Sequence, residues 1–174
     1  MSAIRTQQRY TVDEYEEMVV RGILTERDRV ELIRGEIVDK MTMGTPHSTC
    51  TRRLIWFLQD HLQKQAFISL QTPIRLPDSK PEPDVSVLRL RQDFYLKADP
   101  LPADILLAIE VSDSSLDFDR DVKGPLYAES GIVEYWIVNL NETCFEVHRQ
   151  PSPAGSPSWS TISAAQNSLG HDFA

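Results

Sequence analysis

Ile105-Leu106-Leu107-Ala108-Ile109-Glu110 is the stretch on which the architecture turns: five apolar residues in succession, closed by a carboxylate. So short an apolar run, with no polar alternation, predicts a central strand covered on both faces. A charged Glu110 at the end of such a strand is costly unless it is paired, protonated or bound to a cation. Upstream, Asp84-Val85-Ser86-Val87-Leu88 predicts a second short strand, opening on another carboxylate. If the two strands are neighbours, Asp84 and Glu110 can offer oxygen ligands to Mg2+, which prefers a few carboxylates and keeps waters for a phosphate to replace.

Working outward, Tyr10-Thr11-Val12-Asp13-Glu14-Tyr15 predicts a helix start, with Thr11 as cap, Glu14 closing a capping box and Tyr10 stapled to Tyr15; Gly22 ends the helix. Arg34-Gly35 divides two β-rich runs, Arg29–Ile33 and Glu36–Val38, as a two-residue hairpin turn. From about Ser48 to Leu62, Leu54, Ile55, Leu58 and Leu62 recur at helical spacing. Alternation from Ile68 to Leu76 predicts a half-exposed strand, which Pro73 confines to an edge or a bulge. Ser115 to Glu129 predicts a helix interrupted by Gly124-Pro125, and strands follow at Tyr135–Val138 and Cys144–His148. The expected fold class is α/β (α+β), a mixed sheet flanked by helices with an added N-terminal helix and hairpin. Residues 1–150 are expected to form one domain and 151–174, rich in Pro, Ser and Gly, an irregular tail.

Composition narrows the function classes. The chain has 174 residues, 41% hydrophobic and 25% charged, with 26 acidic against 18 basic residues and a net charge of -8. That balance lacks the broad basic footprint of a DNA coater, so any nucleic-acid contact must be local; Arg52, Arg53, Arg75, Arg89 and Arg91 are the candidates for a modest phosphate-contacting patch. No apolar run is long enough to span a membrane, and no secretory signal stands at the N-terminus, so a cytoplasmic location is expected. Cys50 and Cys144, without a CxxC partner, are expected to be structural thiols.

Lys123 follows the Glu110 strand among several aspartates. It can aim an ammonium at a metal-bound water, or it is a solvated helix lysine paired with Asp119 or Asp121. His47 is a helix-start residue in the simplest view, Glu31 an ordinary strand-face carboxylate pairing with Arg29 or Arg34, and Tyr127, Tyr135 and Trp136 core or rim aromatics.

In order, YTVDEYEEM, VELIRGEIV, the Pro46-His47 helix start, EPDVSV, LAIEVSDSS and DVKGPLYAESGIVEYWIVN resemble the bacterial Uma-two family, over about Tyr10 to Arg149. That family belongs to the restriction-endonuclease-like superfamily, whose signature is a Pro-Asp followed by a distant Asp/Glu-x-Lys. The resemblance implies a restriction-endonuclease-like core and a Mg2+- or Mn2+-dependent endonuclease acting on nucleic acid, with DNA the expected substrate and a homodimer the expected assembly. It assigns Asp84 and Glu110 as metal ligands and catalytic groups. Ser112 occupies the slot two residues after Glu110 where the signature has its lysine, so the catalytic lysine is taken from Lys123. Glu31 and His47 match positions where the family favours these residue types, and with Ser112 and Tyr127 they are supporting candidates. The alternative is a nuclease-fold module that binds or assembles without turnover.

Overall fold

The computed structural model describes residues 8–152 and 158–166, the last seven as backbone only. Its elements in chain order are α1 (Val12–Val20), β1 (Val30–Ile33), β2 (Glu36–Asp39), α2 (Thr45–Leu62), β3 (Phe67–Leu70), β4 (Val85–Leu88), β5 (Ile105–Ser112), α3 (Leu116–Phe118), a π-turn (Asp119–Lys123), α4 (Gly124–Glu129), β6 (Glu134–Asn139), β7 (Cys144–Pro151) and β8 (Trp159–Gln166). Strands β3 to β8 lie side by side in sequence order in one six-stranded sheet, while β1 and β2 form a separate hairpin. Only β5 and β6 are parallel neighbours, because only they are joined by a helical crossover.

The apolar run of β5 is buried on both sides of this sheet. On one face Leu107, Ile109 and Val111 meet Cys50, Leu54 and Leu58 of α2. On the other, Ile105 and Ala108 join Leu126 and Tyr127 of α4, Tyr135 and Ile137 of β6, and Ile33 of the hairpin. The α1 start is built as expected: the Glu14 amide donates to Thr11 Oγ1 at 3.2 Å and the Thr11 amide donates to Glu14 Oε2 at 2.8 Å. Both cysteines are free and buried, and burial pushes the Cys50 thiol up to about 11.

Arg34 and Gly35 turn the hairpin with φ of 50° and 77°, the paired positive values of a type I′ turn. A Cβ on Gly35 would lie 3.1 Å from the Tyr10 carbonyl oxygen, and the Tyr10 amide donates to the Gly35 carbonyl at 2.8 Å. Gly35→Ala therefore meets both a disfavoured φ and a fixed backbone neighbour; a loss of about 1–3 kcal/mol is expected in urea denaturation.

Three expectations are corrected. The strand predicted over 68–76 ends at Leu70, because Gln71 takes φ 45° and its amide donates to the Pro83 carbonyl instead of continuing the ladder. Ile74 and Leu76 are nonetheless buried, so the alternation reflects burial of a non-strand segment. The Ser115–Glu129 helix is not broken at Gly124-Pro125: residues 116–129 are helical throughout, with the Gly124 amide donating to the Asp119 carbonyl across the π-turn. The extra residue widens the helix where the proline ring would otherwise crowd a carbonyl. The 151–174 stretch is not wholly irregular, since Trp159–Gln166 pair antiparallel with β7 as β8. The rest of it, beyond Pro151, Ser152 and Ser158, lies outside the described residues.

His148 on β7 is buried with both ring nitrogens lacking a partner, between the rings of Tyr135 and Trp159. Burial holds its pKa below the usual 6.5, opposed by Glu146. The unfolded chain thus takes up this proton at higher pH than the folded one, so the contribution is present above about pH 6.5 and is lost as pH falls below it. The melting temperature of the wild type is expected to drop more than that of His148→Phe between about pH 7.5 and about pH 5.5, measured by circular dichroism.

Candidate active site

Register, not proximity in the chain, builds the site. In the antiparallel β4–β5 pair Val85 stands opposite Ile109, so one step outward Asp84 stands opposite Glu110. The Asp84 amide donates to Glu110 Oε2 at 3.4 Å, and the Val111 amide donates to Asp84 Oδ2 at 2.8 Å. His47, on the first turns of α2, holds the same Oδ2 through Nε2 at 2.9 Å, while its buried Nδ1 has no partner. Oδ1 of Asp84 accepts no hydrogen bond among the described residues. Glu110 lies two residues before the end of β5, not at its end as expected.

Lys123 closes the arrangement from the π-turn. Its Nζ donates to Glu110 Oε1 at 2.9 Å and lies 3.3 Å from Glu31 Oε1 on β1. It is therefore neither a solvated lysine nor a partner of Asp121, and Glu31 pairs with it instead of with Arg29 or Arg34. The other oxygen of Glu31 accepts from the Glu82 amide at 3.0 Å. Tyr127 on α4 donates its hydroxyl to Glu110 Oε1 at 2.9 Å, a role beyond that of a core aromatic. Ser112, in the position of the missing strand lysine, donates to Asp119 Oδ2 at 2.6 Å, and Ser115 donates to the same oxygen at 2.7 Å. The serine thus anchors the start of the π-turn whose last residue is Lys123.

Asp119 is the site residue that sequence reasoning left among a row of aspartates. It is 2% exposed, and its two serine donors stand four and seven residues before it. The Ser115 spacing was the available signal, since an i, i+4 pair shares a helix face.

The electrostatics follow from crowding. Burial raises the Glu110 carboxyl well above its usual range, Lys123 opposes this, and Asp119, Asp84 and Glu31 add to it. Burial likewise raises Asp119. Burial alone would depress Lys123, but Glu110, Glu31 and Asp119 raise it, so it stays charged. Three carboxylates, those of Glu110, Glu31 and Asp119, act on one ammonium, and Asp84 adds its charge to Glu110. All of these groups line a cavity of about 220 Å³, with His47, Gly44 and the Lys40–Met43 segment on its rim. Among the described residues no group of three or more His, Cys, Asp or Glu is placed to hold a metal ion by protein donors alone.

The arginine patch is not assembled here. Arg75 pairs with Asp13 and Glu16, Arg91 pairs with Asp93, and none of the five named arginines lines the cavity; Arg29 and Lys40 do. Lys40 is itself paired with Glu82. No helix among the described residues is long and apolar enough to cross a membrane.

A mixed sheet with one parallel pair, flanked by helices and carrying Asp84, Glu110 and Lys123 at one end, has the restriction-endonuclease-like fold. The model of the Uma2 (Uma-two) family, described as "Putative restriction endonuclease", matches residues 12–170, and the chain belongs to that family. The fold is shared with a crystal structure described as "a putative nuclease belonging to DUF820 from Anabaena variabilis ATCC 29413", at a TM-score of 0.70 and 18% identity, over 91% of this chain and 85% of that one. Comparison with curated proteins finds no match.

Proposed function

We propose that the protein is a divalent-metal-dependent nuclease that hydrolyses phosphodiester bonds of DNA in the Asp84–Glu110–Lys123 cavity. The observation that carries this reading is the convergence of the three groups, with Glu110 bridging the Asp84 amide at 3.4 Å and Lys123 at 2.9 Å. The donor set fits Mg2+ or Mn2+: two hard carboxylates, Oδ1 of Asp84 without a protein donor, and an excess of buried negative charge that a cation relieves. Such an ion supplies a more acidic bound water and positive charge beside the phosphate.

The chain's own residues set the geometry. His47 and the Val111 amide hold Asp84 by Oδ2 and leave Oδ1 without a donor among the described residues. Tyr127 and Lys123 fix Oε1 of Glu110, while Oε2 accepts, among the described residues, only the long 3.4 Å bond from the Asp84 amide and is the oxygen left to a cation. Lys123, kept charged by Glu110 and Glu31, supplies a fixed ammonium against the charge that develops on the phosphate oxygens.

Supercoiled plasmid and single-stranded circular DNA, each incubated with the purified protein in Mn2+ and in EDTA, test the reading. Cleavage in Mn2+ that EDTA abolishes is expected; intact DNA in both conditions rejects it.

A further inference from the structure

We infer that the solvent face of α2 carries an unpaired nucleic-acid strand away from the cavity, with Arg52 on a phosphate and Trp56 stacked on a base. This rests on the nuclease reading and names its substrate class, a strand with unstacked bases.

Four residues carry the inference. At about 100° per residue, Thr45, Thr49, Arg52 and Trp56 fall in one row along α2. The row begins beside the cavity rim: Gly44 lines the cavity and immediately precedes Thr45, while the four residues of the row lie outside it and His47, which lines it, is on the buried side of α2. Thr45 and Arg52 are exposed and Thr49 half-buried, and the Trp56 side chain is 73% exposed. Arg52 has no ion pair among the described residues. Two hydroxyls, a guanidinium without an ion pair and an open indole thus follow one another along α2, away from the rim residue Gly44. Trp56 lies nine residues beyond His47, roughly 14 Å along the helix axis, a span of a few nucleotides.

Charge complementarity selects the occupant. Lys40 is paired with Glu82, and Asp60 follows one turn beyond Trp56, but from Met41 through Gln59 the chain has Arg52 and Arg53 and no Asp or Glu, within a protein of net charge -8. This is where a polyanion can approach an otherwise acidic molecule. An indole on this outer face packs against none of the core, whereas base stacking uses such a ring fully and is indifferent to sequence. A duplex offers the indole no open base face, which is why the occupant is an unpaired strand.

The test measures binding of a short fluorescein-labelled oligodeoxythymidylate, and of a duplex of the same length, by anisotropy in Ca2+ buffer. Trp56→Ala is expected to weaken the single strand about tenfold, with Trp56→Phe close to wild type and the duplex unaffected. Arg52→Gln is expected to lower the slope of log affinity against log salt by about one. Both side chains are exposed, so the variants keep the fold, which circular dichroism checks. Unchanged single-strand affinity in Trp56→Ala, an equal loss for the duplex, or no binding by the wild type overturns the inference. So does a shift from dimer to monomer in Trp56→Ala with affinity unchanged, which makes the face a contact between copies. Cleavage of the same oligonucleotide in Mn2+ by wild type and by Asp84→Asn reports separately on the nuclease reading. Trp56-dependent binding without cleavage leaves the strand-binding face standing, and cleavage with Trp56-independent binding removes that face alone.

Discussion

Lys123→Met is expected to cost the fold about 3–5 kcal/mol near neutral pH and to abolish cleavage. The lysine is 7% exposed and lies within 3.3 Å of Glu31 and 2.9 Å of Glu110, with Asp119 also acting on it. Methionine matches the stem but leaves those carboxylates buried without a counter-charge, and solvent cannot compensate them. The sign with pH follows from the same groups. Glu110 and Asp119 already bind protons more readily than free carboxyls, and removing the ammonium raises them further. As pH falls they become neutral and the penalty shrinks, so the stability gap between wild type and variant is expected to be larger at about pH 8 than at about pH 5. Urea denaturation at the two pH values measures it. A variant as stable as wild type at both would mean that the lysine does not neutralise this cluster.

Asp84→Asn is expected to reduce DNA cleavage by at least about a hundredfold while changing stability by less than about 1 kcal/mol. Asparagine is isosteric, and its carbonyl oxygen can still accept from the Val111 amide that now holds Oδ2 at 2.8 Å. What it loses is the negative charge and the oxygen that proposed cation binding requires. Nicking rates in Mn2+, with a thermal melt of each protein, separate these effects. Cleavage equal to wild type would reject the assignment of Asp84, and a collapse of the melt would show that its role is to hold the fold.

Much of the local structure is legible in the chain. Thr11 and Glu14 cap α1, Arg34-Gly35 turns the hairpin, and the spacing of Leu54 and Leu58 marks the buried face of α2. In each case the deciding interactions lie within a few residues. The misreadings are equally specific. Ile74 and Leu76 are buried by a segment whose amides bond to Pro81 and Ser79 carbonyls, a pairing that alternation alone cannot distinguish from a ladder. Gly124-Pro125 signals a break, yet one additional residue in the helix turn accommodates the proline ring. β8 was obscured by the Pro- and Ser-rich stretch before it.

For the site, the residue types were readable and their partnerships were not. Sequence alone determined that the chain carries a buried apolar strand with a carboxylate near its end, a second short strand preceded by another carboxylate, and a serine two residues after Glu110. The tertiary structure decided that the β4–β5 register sets Asp84 across from Glu110. It also decided that a π-turn carries Lys123 to Glu110 and Glu31, and that Ser112 ties down Asp119. Side-chain periodicity records only which face of an element is covered. Which charge meets which depends on strand register and helix phase, and these are settled when all the elements pack together.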